Sequence, residues 1–127
     1  MQIFEKLFTV TQDDLDELNH VNNVRYVQWV NDIAKEHWTQ NASKNILKDF
    51  FWVLLSHHIQ YKNPAVLNDI VKLKTYVIKA EGVTSIRIVE MYHNKKLLAK
   101  SETNWCLMDF KTLRPTRINS EIANLFN

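Results

Sequence analysis

Residues 14–26 read Asp14-Leu-Asp-Glu-Leu-Asn-His-Val-Asn-Asn-Val-Arg-Tyr26 and place carboxylates and an imidazole directly before a periodic apolar segment. The apolar residues of that segment recur mostly at three- and four-residue steps, the period of one helix face: Val24, Val27, Val30, Ile33, Ala34 and Trp38. We therefore predict a helix over about residues 22–39. The polar cluster then lies at the helix N-terminus, where backbone N–H groups are unpaired and the helix dipole is positive. A carboxylate, a histidine and free amides around one point can carry acyl-transfer chemistry.

The segments around this helix are mostly β-rich. Residues 2–10 predict a first strand, residues 11–20 a polar loop, and residues 41–49 a connection with one short helical turn. Four further strands are predicted over residues 50–62, 69–81, 83–94 and 95–108, and a short helix is predicted from Ser120, which would be its N-cap. Short gaps with turn residues between the strands favour hairpins and an antiparallel meander. The fold class is therefore α+β, with one long helix packed on an antiparallel sheet of about five strands.

The second strand is apolar on both faces. Strict alternation puts one set of its residues on a single face: Phe51, Val53, Leu55, His57, Ile59 and Tyr61. The opposite face carries Phe50, Trp52 and Leu54. A sheet with two apolar faces needs a second cover, and the chain offers only one long helix. We therefore expect association with another copy of the chain.

Composition narrows the class of protein. The 127 residues have 46% hydrophobic and 24% charged content, which is typical of one globular domain over residues 1–127. The net charge is only +2 and Lys95-Lys96 is the only adjacent basic pair, which argues against a nucleic-acid partner. Cys106 is the only cysteine, so no intramolecular disulfide can form. With no signal-peptide pattern and no membrane-length apolar run, we expect a cytoplasmic protein without a membrane partner.

The segment Asp14–Tyr26 resembles the signature of hotdog-fold acyl thioesterases, in particular the 4-hydroxybenzoyl-CoA thioesterase-like branch. That branch carries Asp-x-Asp before its long central helix, with an aromatic residue at the position of Tyr26. The part His20–Trp29 is similar to acyl-ACP thioesterases, whose pattern is Asp-x-Asn-x-His-Val-Asn-Asn followed by Tyr and Trp.

The resemblance extends along the chain. The strand end His58-Ile-Gln-Tyr61, followed by Pro64 and Asp69, is similar to the family's strand, proline turn and acidic restart. The resemblance implies a hotdog fold, in which a curved antiparallel sheet wraps a long central helix. It also implies a homodimer formed by sheet-edge pairing, often assembled further into a homotetramer.

The resemblance implies hydrolysis of an acyl-CoA or an acyl-ACP thioester with no metal and no cofactor. Asp16 matches the family's nucleophile or general base, and Asn23 matches the residue whose backbone N–H polarises the thioester carbonyl. His20 matches the histidine that assists water or holds the thioester.

Two positions depart from the patterns. Leu18 replaces the asparagine of the acyl-ACP pattern, and Asn19 replaces a glycine of many acyl-CoA members, although asparagine tolerates a left-handed backbone.

Each candidate has an alternative structural role. Asp14, Asp16 and Asn19 could instead cap the helix. Asn22 is a helix-start residue whose backbone could bind substrate, and Tyr26 lines either the core or an acyl pocket. Glu36 and His37, near the helix end, are expected on a solvated face.

The remaining candidates lie farther along the chain. His57 and His58 are neighbours on a strand and point to opposite faces, so they cannot chelate one ion together. One of the two could face a partner's active site across a dimer, and we take His58 as the candidate for substrate binding. The loop with Arg114 and Arg117 is either solvated charge or a site for a CoA phosphate.

The expected function is an acyl-CoA thioesterase. The alternatives are an acyl-ACP thioesterase and a non-catalytic hotdog protein that binds an acyl group in the same cleft. A hydroxyacyl dehydratase is less consistent with the sequence, because that branch places its histidine and acidic residue differently. Neither a calcium loop nor another metal site is expected, since Leu18 stands where a third calcium ligand is needed.

Overall fold

A computed structural model describes residues 1–127 and contains every predicted element. The strands are β1 (Phe4–Thr9), β2 (Phe50–Tyr61), β3 (Ile70–Glu81), β4 (Thr84–His93) and β5 (Lys96–Asp109). The helices are α1 (Asn23–Asn41), α2 (Lys44–Asp49) and α3 (Ser120–Asn124), and a 3₁₀ turn spans Gln12–Asp14. The N-cap of α3 is Asn119 instead of the predicted Ser120, because the Asn119 side chain accepts the N–H of Ile122. No helix combines the length and apolar character needed to cross a lipid bilayer.

The five strands form one antiparallel sheet in the order β1-β3-β4-β5-β2. The predicted hairpins join β3 to β4 and β4 to β5, where Gly82 and Asn94 adopt positive φ angles of 63° and 55°. The meander prediction is wrong for β2, which lies at the far edge beside β5. The reason is the segment after β2, in which Ala65 accepts a hydrogen bond from Val21 and the chain crosses to β3 without a tight turn.

The face prediction for β2 is wrong over half of its length. A β-bulge shifts the register between Leu54 and Ser56, so an extra residue reverses the alternation. Phe50 and Trp52 therefore pack on the core before the bulge, and Ile59 packs on it afterwards. Similar shifts occur in the β3–β4 and β4–β5 pairings, and bulges bend strands, so the sheet curves.

Helix α1 packs across the sheet through one of its faces. Its buried residues are Tyr26, Trp29, Val30, Ile33, Ala34, His37 and Trp38. Val24, predicted to belong to this face, is 74% exposed because it lies roughly 200° around the helix from Tyr26. Most of the core is a cluster of 13 buried residues near the start of α1, and a smaller cluster of five, which includes Trp38, lies at its other end.

His37 is fully buried, contrary to the expected solvated face. Its Nδ1 lies 2.9 Å from Nη1 of Arg87 and its Nε2 lies 2.7 Å from Oε1 of Gln2, while its ring stacks on Phe4. Since Arg87 can only donate, Nδ1 accepts and Nε2 carries the proton. Burial, with a smaller contribution from the charge of Arg87, lowers the pKa of His37 to about 4.

We predict that His37 makes the protein less stable in acid. The unfolded chain protonates this imidazole near pH 6.5 and the folded chain only near pH 4, so the unfolded state binds more protons between these values. The free energy of unfolding should therefore be lower by roughly 3 kcal/mol near pH 4 than above pH 6.5 because of this group. Urea unfolding across this range, compared with His37→Gln, isolates the contribution. An imidazole resonance of His37 that titrates near pH 6.5 in the folded protein would contradict the prediction.

Candidate active site

The loop before α1 is closed by its own backbone. The N–H of Asp16 donates to the carbonyl of His20 at 2.8 Å, the N–H of Asn19 donates to the carbonyl of Asp16 at 3.0 Å, and Leu15 forms a bridge with Val21. Asn19 has a φ of 60°, in the left-handed region that asparagine tolerates. The substitution of asparagine for the family's glycine therefore leaves the turn intact.

The same loop is tied to the segment that follows β2. The N–H of Val21 donates to the carbonyl of Ala65 at 2.9 Å, and His20 forms a bridge with Val66. The N–H of Ala65 donates to the hydroxyl of Tyr26 at 3.1 Å. Tyr26 is 3% exposed, so burial raises the pKa of its phenol. Tyr26 is thus a core residue whose hydroxyl fixes one wall of the site.

The carboxylate of Asp16 is oriented by two amides. Its Oδ1 accepts the N–H of Leu18 at 2.9 Å and the N–H of His20 at 3.2 Å. No protein group donates to Oδ2. One oxygen therefore fixes the side chain, and the other is available to a substrate or a water molecule.

Asn22 caps α1. Its Oδ1 accepts the N–H of Val24 at 2.9 Å and its carbonyl accepts the N–H of Arg25 at 2.9 Å. The alternative roles of Asp14, Asp16 and Asn19 as caps of this helix are therefore wrong. The N–H of Asn23 has no hydrogen-bond partner, as expected for the first residue of a helix.

Asp14 has a structural role in the 3₁₀ turn that precedes this loop. Its Oδ2 accepts the backbone N–H of Thr11 at 2.9 Å, and its Oδ1 lies 3.1 Å from Nε of Arg25. These contacts hold the 3₁₀ turn against the first turn of α1. Both oxygens of Asp14 are engaged, whereas only one oxygen of Asp16 is.

A cleft of about 220 Å³ brings four of the predicted site residues together, namely Asp16, His20, Asn23 and Tyr26. The remaining walls are formed by Val21 and the segment Tyr61–Pro64. The Tyr61 hydroxyl donates to the carbonyl of Asn23 at 3.4 Å, and Lys62 is an exposed cation at the rim. In the sequence, this segment indicates only a strand end and a turn. The Lys62-Asn-Pro triplet gives no local signal of a cleft, because it is brought beside the loop by the pairing of the next residue, Ala65, with Val21.

The predicted site residue Asn22 caps α1 beside the cleft but is not among its lining residues. The other three predicted site residues lie away from this cleft in one chain. His58 is exposed on β2, while its neighbour His57 turns inward and places Nε2 2.9 Å from the Ser101 hydroxyl. Arg114 and Arg117 are exposed in the loop after β5. The end of β5 pairs with the start of β2, and the cleft lies at the other end of β2. A role for these three residues in substrate binding therefore requires a second copy of the chain.

No group of three or more His, Cys, Asp or Glu side chains is arranged to hold a metal ion. The cleft instead combines a partly free carboxylate, an imidazole and a free amide at a helix N-terminus. This set can activate water or attack a carbonyl carbon, and it can stabilise the oxyanion that forms.

The chain is similar in sequence to known proteins. A sequence model of the thioesterase-like superfamily matches residues 10–126. The long-chain acyl-CoA thioesterase FadM of Escherichia coli (strain K12) is 21% identical over 112 residues, which cover 85% of each chain.

Two solved structures share the fold. The probable thioesterase YbaW from Escherichia coli has a TM-score of 0.86 at 20% identity, with 95% of this chain and 94% of that chain covered. A 1,4-dihydroxy-2-naphthoyl-CoA thioesterase from Synechocystis has a TM-score of 0.83 at 16% identity, with 98% and 95% covered. These similarities confirm the predicted hotdog fold.

The two adjacent asparagines at the start of α1 should differ in their effect on stability. Asn22→Ala removes the cap and should lower the free energy of unfolding by about 1 kcal/mol. Asn23→Ala removes a side chain without a hydrogen bond and should change it by less than about 0.5 kcal/mol. Urea unfolding at one protein concentration measures both, and Asn22→Ser should restore most of the loss. Equal losses at the two positions would contradict the assignment of the cap.

Proposed function

Because the chain belongs to the thioesterase-like superfamily, we propose that it hydrolyses acyl-CoA thioesters to a free acid and the CoA thiol in the cleft at the start of α1. One observation carries the proposal. Asp16, whose Oδ2 accepts no protein hydrogen bond, and Asn23, whose backbone N–H has no partner, line the same cleft. A thioester carbonyl placed there can therefore meet an attacking group and an oxyanion donor together.

The chemistry follows from these two groups. Asp16 either takes a proton from the attacking water or attacks the carbonyl carbon itself, forming an anhydride that water then opens. In both routes the C–S bond breaks, and the thiolate leaves and is protonated. A positioned acid or base contributes about 10²–10⁴-fold to the rate, and one oxyanion donor about 10²–10³-fold. The N–H of Asn23 is already in place, so no reorganisation is needed during the reaction.

The neighbouring residues suit supporting roles. His20 is exposed at the edge of the cleft, where its imidazole can orient water or hold the thioester. Tyr26 lines the cleft with its ring while its hydroxyl is engaged by Ala65, so we assign it a positioning role. Asn22 contributes through the cap that sets the first turn of the helix.

CoA is the preferred carrier. FadM and the Synechocystis protein are both named for acyl-CoA substrates. Leu18, which replaces the asparagine of the acyl-ACP pattern, is 70% exposed and brings no polar group to the loop. An acyl-ACP substrate remains the second candidate, and a non-catalytic acyl-binding protein is the third.

We propose that two copies pair along β2, as a homodimer or as half of a homotetramer. This strand forms one edge of the sheet, and its residues Val53 and Leu55 are 40% and 54% exposed. Exposed apolar edge strands favour pairing with another strand. An antiparallel pairing of two β2 strands would set the start of one beside the end of the other. It would thereby bring Arg114 and Arg117 of one copy toward the cleft of its partner.

The oligomer can be tested by sedimentation. The wild type should sediment at about two or four times the 15.1 kDa mass of one chain. Leu55→Glu should shift it toward a single copy, because charged side chains on an edge oppose pairing. The comparison change Leu113→Glu, at a leucine that is 66% exposed and lies beyond the sheet, should leave the mass unchanged. A wild type that sediments as one copy at micromolar concentration would contradict the proposal.

Two further assignments complete the proposal. Residues 1–127 act as one domain, because both core clusters pack against the same sheet. The protein acts in the cytoplasm, a reducing compartment that suits its single, buried, free Cys106. Cell fractionation that recovered the protein elsewhere would contradict this location.

Asp16→Asn should lower kcat/KM on its best acyl-CoA substrate by about 10²–10⁴-fold. Asparagine keeps an oxygen that can accept the two loop N–H groups, so the loop should persist while the base or nucleophile is lost. The matched control is Asp13→Asn, the same chemical change on an exposed side chain outside the cleft, which should retain activity.

The assay should use a panel of acyl-CoA and acyl-ACP thioesters of different chain lengths. Equal rates for the wild type and Asp16→Asn would remove Asp16 from the mechanism. Binding of acyl-CoA without turnover of any thioester by the wild type would favour the non-catalytic alternative.

A further inference from the structure

A second cavity lies at the other end of α1. It measures about 360 Å³, a size in the range of small-molecule sites, and it shares no lining residue with the Asp16 cleft. Nine of its thirteen lining residues are hydrophobic, and these include three tryptophans, Trp38, Trp52 and Trp105, as well as Phe126. The cavity therefore presents aromatic walls to whatever enters it.

One buried cation lines this apolar cavity. Arg87, on β4, is 5% exposed. Its Nη1 donates to Nδ1 of His37 at 2.9 Å and to the hydroxyl of Thr75 at 3.0 Å, and its guanidinium carbon lies 5.1 Å from the centre of the Phe126 ring. Nε and Nη2 have no acceptor in the protein. No carboxylate forms an ion pair with Arg87, and all five ion pairs of the chain involve other residues.

This arrangement leaves a charge without a counter-ion. Burial lowers the pKa of Arg87 to about 10, so the guanidinium stays protonated at neutral pH. An isolated buried cation is costly, and neutral acceptors such as His37 and Thr75 offset only part of that cost. A planar guanidinium with unused donors matches the geometry of a carboxylate, which can accept two parallel hydrogen bonds.

We propose that this cavity binds a carboxylic acid with an apolar body, whose carboxylate pairs with Arg87 and whose hydrocarbon or aryl part lies against the tryptophans. A neutral apolar ligand would leave the guanidinium unpaired, and a small hydrated anion would leave the aromatic walls uncovered. The binding itself is independent of the hydrolysis proposed for the Asp16 cleft. The carboxylate can belong to a free acid or to the far end of an acyl chain.

The first test compares two probes on the wild type. Decanoate and decan-1-ol share a ten-carbon chain and differ in charge. Three tryptophans line the cavity, so intrinsic fluorescence reports binding directly. Decanoate should bind about tenfold or more tightly than decan-1-ol, the difference expected for a hydrogen bond to a charged group. Equal affinity for both probes, or no saturable binding of decanoate, would overturn the proposal.

The second test uses variants of the cavity. Arg87→Met keeps an apolar side chain of similar length and should weaken decanoate by about tenfold or more while leaving decan-1-ol unchanged. Arg87→Lys keeps the charge and should retain part of the preference, which guards against a fold defect in the methionine variant. Lys35→Met is the matched control, because Lys35 is an exposed cation at the same cavity and should have little effect. Loss of decanoate binding in Lys35→Met but not in Arg87→Met would contradict the assignment.

A third comparison excludes the Asp16 cleft and identifies the source of the carboxylate. Asp16→Asn should keep the preference for decanoate over decan-1-ol. Loss of that preference would place decanoate in the Asp16 cleft and contradict the proposal. For an acyl chain that reaches Arg87, Arg87→Met should lower kcat/KM at least about tenfold more for an ω-carboxydecanoyl-CoA than for decanoyl-CoA. For a free-acid site the two substrates should respond alike, while decanoate binding still depends on Arg87.

Discussion

The loop from Asp16 to Val21 is hydrogen-bonded on two sides, and the position of the candidate active site depends on this constraint. On one side the carboxylate and backbone of Asp16 bind amides and a carbonyl of the same loop. On the other side Val21 binds Ala65, which in turn donates to the hydroxyl of Tyr26 in α1. These hydrogen bonds connect the segment after β2, the loop and the helix, and Asp16 and Asn23 line the same cleft.

Much of this site could be predicted from local sequence because its parts are close together in the chain. The three- and four-residue period predicts α1, and the polar residues before it predict a functional N-terminus. The tolerance of asparagine for left-handed backbone explains Asn19. The choice of cap could not be predicted, since Asp14, Asp16, Asn19 and Asn22 are all suitable residue types and only the loop hydrogen bonds select Asn22.

The features that sequence reasoning missed depend on contacts between distant segments. A bulge adds one residue to β2 and reverses its faces, and strict alternation carries no sign of it. The residues next to His37 in sequence are typical of a surface position. In the fold, however, His37 is hydrogen-bonded to Gln2, which lies just before β1, and to Arg87 on β4. The two ends of α1 differ in the polar groups that they present. Its start has exposed polar groups with unused hydrogen-bonding capacity, whereas its other end encloses an unpaired cation among aromatic rings.

A crystal structure of the protein with a non-hydrolysable ketone analogue of an acyl-CoA would show directly which groups surround the reacting carbonyl. We expect the ketone oxygen to lie about 2.7–3.1 Å from the backbone nitrogen of Asn23. We also expect Oδ2 of Asp16 to face the carbonyl carbon, directly or through one water molecule. An analogue bound with its carbonyl outside the cleft, or an Asp16 carboxylate turned away from it, would refute the roles proposed for Asp16 and Asn23.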